Sequence, residues 1–153
     1  PGMVPGIVTD LLLFLGVLWL FDGLALSPVL LSGAVRRLVR SWPTAYLAPN
    51  YLLGVTGFAL SHLLWLLFPV ALHGGSLERN VLAWVAGVTL LNVVLWWLAI
   101  AIALPVLGLW RPKAGDGYDG RIALTAGLFG YVVAAVIVGL AAVLVAFGLY
   151  YPG

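Results

Sequence analysis

Four side chains able to do chemistry stand inside otherwise apolar runs: Asp22, Ser61, His62 and Asn92, with Tyr131 a milder fifth. Polar groups are costly in such surroundings, which makes them the natural candidates for function. An aspartate and a histidine at one depth could exchange a proton. A histidine could also hold haem iron as an axial ligand. A histidine facing an asparagine needs neither role, because the pair can simply hydrogen-bond two helices together. Depth and neighbours decide among these uses, and both depend on the elements that carry the residues.

Those elements are membrane spans. Of 153 residues, 64% are hydrophobic and 8% charged, and the mean hydropathy is +1.17, whereas soluble domains carry about a quarter charged residues. Apolar runs of the length that crosses a hydrocarbon core of about 30 Å recur along the chain. Helices satisfy their own backbone hydrogen bonds, which lipid cannot do. We place spans at about 7–27, 50–72, 81–108 and 122–149, forming one all-α membrane domain. The opening residues have neither the charged n-region nor the cleavage site of a signal peptide.

Charge orients the spans. Arg36, Arg37 and Arg40 lie in the first connection and Arg111, Lys113 and Arg121 in the third, while the second has only Arg79. The positive-inside rule then puts connections 1 and 3 in the cytoplasm and both termini outside, in what reads as the cell membrane. These cations serve as topology or lipid contacts; they are too few and too dispersed for a nucleic-acid footprint. With no cysteine, thiolate metal sites, disulfides and cysteine nucleophiles are excluded.

His62 and Asn92 lie equidistant from the centre of the short second connection, so an antiparallel hairpin sets them level, about 15 Å below the outer surface. Trp65 follows His62 by three residues and Trp96 follows Asn92 by four, so each polar group shares its face with an indole. With Ser61 and Asp22 these form the expected intramembrane polar cluster. Asp22 has two possible placements. A first span continuous to Val35 would set it near mid-membrane, whereas a break at Ser27–Pro28 sets it near the inner interface, beside Arg36, Arg37 or Arg40. Serine is a good helix cap and proline a preferred first residue, which favours the break. Residues 28–42 then form an interfacial amphipathic helix, with Val35, Leu38, Val39 and Trp42 opposite the arginines. In the fourth span Ala126, Gly130 and Ala134 repeat every four residues and Gly139 follows on a second such pair, a small-residue face suited to packing on another helix.

No cofactor is expected. Haem through His62 would need a second axial ligand from another subunit or from Met3, since His73 lies about 16 Å away along the same helix. In the third connection Asp116, Asp119, Gly120 and Ala123 stand in DGYDGRIA, which resembles the opening of the CDP-alcohol phosphotransferase signature. That resemblance implies metal-dependent transfer chemistry. Leu124 replaces the arginine that should follow, however, and the fourth span has no carboxylate to hold a divalent metal. The segment reads as a turn.

The expected function is therefore a non-catalytic structural or accessory subunit of a membrane assembly, partnered by lipid and by other subunits or by copies of itself. The alternative is a small ion- or proton-coupled transporter or channel that uses Asp22, His62 and Asn92.

Overall fold

A computed structural model describes residues 3–73, 81–113 and 117–150. They form an all-α bundle: α1 (Met3–Leu26), a 3₁₀ turn (Ser27–Leu31), α2 (Gly33–Val39), α3 (Leu47–His73), α4 (Val81–Leu98), a π-helical turn (Ala99–Ala103), α5 (Leu104–Val106) and α6 (Gly120–Tyr150). Four stretches are long and apolar enough to cross a membrane: Gly6–Leu31, Leu47–Phe68, Val81–Val106 and Gly120–Tyr150. The chain is an integral membrane protein. Asp116, the second connection with Arg79, and Tyr151 fall outside the described residues.

The spans pack in a ring, α1 on α3, α3 on α4, α4 on α6 and α6 back on α1. Adjacent spans run antiparallel, so the connections around 27–46 and 107–119 share one end, here called the basal end.

The first span does break where serine meets proline, by a route other than the expected cap. Ser27 donates to the carbonyl of Leu24 (2.7 Å), and Pro28 opens a 3₁₀ turn. Ser32 then caps the next helix by accepting from the Val35 amide (3.4 Å). The interfacial helix is thus seven residues, Gly33–Val39, and Trp42 lies beyond it. A Ser32 cap wins because the 3₁₀ turn uses up the residues after Pro28 before an α-helix can start.

Asn50 ties down the chain between α2 and α3. It accepts from the Thr44 amide (3.2 Å) and hydroxyl (2.8 Å), and its own amide donates to the carbonyls of Val39 and Thr44, both at 2.6 Å. At the end of span 3 a π turn precedes Pro105, with the Leu104 amide bonded to the carbonyl of Ala99. Proline offers no amide and its ring crowds the carbonyl four residues back, which favours a widened turn just before it.

Burial is concentrated toward the basal end. One cluster joins Leu26, Phe58, Val93, Ala101, Leu124, Leu128 and Tyr131. A second joins Val29, Ala34, Val35 and Trp110. Here α6 comes close to the turn and α2: a Cβ at Gly127 would fall 2.3 Å from Val29 Cγ1, and one at Gly120 would fall 2.7 Å from the Cβ of Ala34. The Trp110 indole donates to the carbonyl of Ala34 (3.2 Å) and closes this clamp.

Candidate functional site

The intramembrane polar residues fall into two groups on either side of the Phe58 ring. In the first, α3 meets α4. Ser61 Oγ lies 2.8 Å from Asn92 Oδ1 and 2.9 Å from the Phe58 carbonyl, either of which can take its one proton. It accepts from the Trp96 indole at 2.9 Å. Asn92 Nδ2 donates to the Phe58 carbonyl at 3.3 Å. Gly57 makes room for this arrangement, since a Cβ there would stand 3.3 Å from the Trp96 ring. Trp65 shares with Ser61, Asn92 and Trp96 a shallow depression of about 220 Å³.

His62 bonds to Thr89, not to Asn92. Its Nε2 is 2.9 Å from Thr89 Oγ1, whose own proton goes to the Val85 carbonyl at 2.8 Å. A hydroxyl has one proton to give, so Nε2 carries the imidazole proton and donates it. Nδ1 is then a bare lone pair, buried with no partner among the described residues. Depth in the hairpin is set by distance from the connection, but the partner is set by rotation about each helix axis. That rotation turns Ser61 toward Asn92 and His62 toward Thr89, one turn away.

The second group surrounds Asp22, which is fully buried. The Tyr131 hydroxyl donates to Asp22 Oδ1 at 2.7 Å, while Oδ2 has no partner among the described residues. The expected pairing with Arg36, Arg37 or Arg40 is not made. All three are exposed, and the one ion pair among the described residues joins Arg121 to Asp119 (3.6 Å). After the break at Leu26, α2 buries Ala34 and Val35 against the bundle and leaves its arginine face exposed, while the Asp22 face of α1 stays against α6. Tyr51, one turn into α3, donates to the Gly23 carbonyl at 2.6 Å, so α1 is tied to α6 and to α3 at adjacent residues. Phe58 separates the groups, its ring 5.2 Å from Tyr131, 5.9 Å from Trp96 and 6.4 Å from His62.

Sequence reasoning did not identify Thr56, Thr89 and Thr125 as partners. Trp19 donates to Thr56 at 3.0 Å and Trp97 to Thr125 at 2.8 Å. Each threonine also returns its proton to a carbonyl four residues earlier. The available signal was the number of deep indoles, since a buried indole N–H seeks an acceptor and a threonine hydroxyl keeps its lone pairs free when its proton is committed.

A cavity of about 120 Å³ between the helices is walled by Leu26, Val29, Val55, Phe58, Leu124 and Leu128 among others, and neither Asp22 nor His62 lines it. Among the described residues no set of three or more His, Asp or Glu side chains could hold a metal ion. The side chains of Met3 and His73 are not described.

On α6 the expected small-residue face splits. Ala126, Gly130 and Gly139 are exposed and Ala134 is half-buried, while the close approach within the chain is made by Gly120 and Gly127. Comparison with protein-family models, with curated proteins and with solved structures gives no match to this chain.

Proposed function

We propose that this chain is a non-catalytic subunit of a larger membrane assembly, or of its own homo-oligomer, joined through the outer part of α6. The observation that carries this reading is a contrast within one helix. The absence of a side chain at Gly120 and Gly127 is used by Ala34 and Val29, whereas a Cβ at Gly130, Gly139 or Gly148 would meet nothing within 4 Å. Small residues on a membrane helix allow close approach of another helix. Most of the buried polar groups, meanwhile, are engaged in bonds between spans. The six basal cations favour a cytoplasmic basal end in the cell membrane.

The test is the mass of the intact chain in native-like lipid discs. A mass above that of the monomer, or a co-purifying subunit, is expected. Gly130→Leu with Gly139→Leu should return a monomer of unchanged helix content. A wild-type monomer with no co-purifying partner would overturn the reading.

One observation favours a second reading, a proton- or ion-coupled transporter. Asp22 Oδ2 is buried with no partner among the described residues, and a carboxyl so placed is expensive unless it serves to bind a proton or cation. Flux driven by a pH gradient in liposomes, abolished by Asp22→Asn and reduced by His62→Ala, supports this reading. Leakage that Asp22→Asn leaves unchanged removes it.

A further inference from the structure

At the basal end α2 and the start of α6 enclose a groove of about 530 Å³, lined by Ser32, Gly33, Arg37, Tyr118, Ile122 and Ala126 among others. We propose that it binds one phospholipid whose headgroup carries a phosphate and no compensating cation.

Charge complementarity identifies the headgroup end. A Cβ at Gly33 would lie 3.7 Å from a guanidinium nitrogen of Arg37 and 4.0 Å from one of Arg36, so both cations flank the mouth. Arg36 is steadied there by donating to the Leu30 carbonyl (3.1 Å). Neither has a carboxylate partner among the described residues. Asp119, which also lines the groove, is engaged by Arg121 through both its side chain (3.6 Å) and its backbone amide (2.9 Å). A guanidinium presents a planar fork of donors that matches phosphate oxygens. Ser32 and the exposed Tyr118 add hydroxyls at the same level.

The other end suits an acyl chain. Ile122 and Ala126 also line a second groove, with Arg121, Thr125 and Phe129, so the two run together along one stripe of α6. From Asp119 to Phe129 the helix rises about 15 Å, the hydrocarbon depth of one leaflet in a core of about 30 Å. Leu31, Ile122 and Phe129 are 82%, 64% and 70% exposed, open for a chain to lie against. A free phosphate would use only the mouth; a lipid uses the whole length.

Native mass spectrometry of the intact, detergent-solubilised chain tests this. It would be titrated with phosphatidylglycerol and, separately, with phosphatidylcholine of the same acyl chains. One phosphatidylglycerol should be retained preferentially. Arg37→Gln should weaken it about fivefold, and Arg36→Gln with Arg37→Gln on the order of 25-fold, at about 1 kcal/mol per cation. Arg111→Gln, outside the groove, should leave it unchanged, and Ala126→Trp should block both lipids. Equal retention of the two lipids would overturn the proposal. So would equal weakening by Arg111→Gln, or displacement by millimolar inorganic phosphate. These outcomes do not depend on the oligomeric state.

Discussion

Tyr131 gives Asp22 its one hydrogen bond among the described residues, so the state of that carboxyl rests on a single hydroxyl. Tyr131→Phe removes one oxygen and leaves both carboxyl oxygens of Asp22 buried without a donor, at a cost of about 1–3 kcal/mol. Unfolding in mixed micelles should show this loss, and Asp22→Ala in the same background should recover part of it. Thr89→Val is the milder counterpart. It takes away the acceptor of His62, and since hydrogen bonds between membrane helices contribute about 0.6 kcal/mol on average, a loss near that value is expected from the same measurement. A larger effect at Thr89 than at Tyr131 would contradict this ordering. The polar residues themselves were legible, because any polar letter in an apolar run stands out. Their pairings were not: Thr89 is an ordinary membrane-helix residue, and Tyr131, though visible as a polar letter, could not be assigned to Asp22 until rotation about the helix axes brings them opposite each other.

Among the elements, α6 separates two kinds of glycine. Gly127→Ala puts a methyl group 2.3 Å from Val29 Cγ1 and 3.4 Å from the Val29 backbone. Valine is stiff at χ1, so the turn at residues 27–31 and α6 must move apart, and a loss of about 1–3 kcal/mol is expected. Gly130→Ala meets nothing within the chain and replaces the less favourable helix former, so in the monomer it should stabilise by up to about 1 kcal/mol. Thermal unfolding of the two variants in the same discs distinguishes them, and equal effects would show that the close approach at Gly127 is not used. The four-residue spacing marked a small-residue face but not its neighbour. Gly120 and Gly127 stand seven apart, and their role is fixed by Ala34 and Val29 on a segment whose path depends on the break after Leu26. That break was legible from Ser27–Pro28; the 3₁₀ turn that moves the cap to Ser32 was not. The π turn had a visible cause in Pro105, but a proline alone does not say whether a helix kinks, widens or stops.

For the whole molecule, hydropathy and length pointed to the four-helix membrane bundle, since a single apolar segment of about 20 residues satisfies its own backbone in lipid only as a helix. Orientation is testable without removing native thiols, because the chain has no cysteine. In right-side-out cells Tyr150→Cys should react with an impermeant maleimide, and Tyr118→Cys, at the basal end, should react only after lysis. The reverse pattern would invert the proposed topology. The packing adds an asymmetry that hydropathy does not contain. From Gly6 to Leu20 in α1, and from Val132 to Tyr150 in α6, no residue is fully buried. Nearer the basal end the first and last spans are fastened by Asp22 to Tyr131 at mid-depth, by Val29 to Gly127 below it, and by Ala34 of α2 to Gly120 at the end of the bundle. Such a molecule has a stiff half and a compliant half. A bilayer whose thickness does not match the spans will be met unequally. The basal half will hold its shape and impose it on the lipid, and the mismatch will be absorbed by the far ends of α1 and α6, where no residue is fully buried.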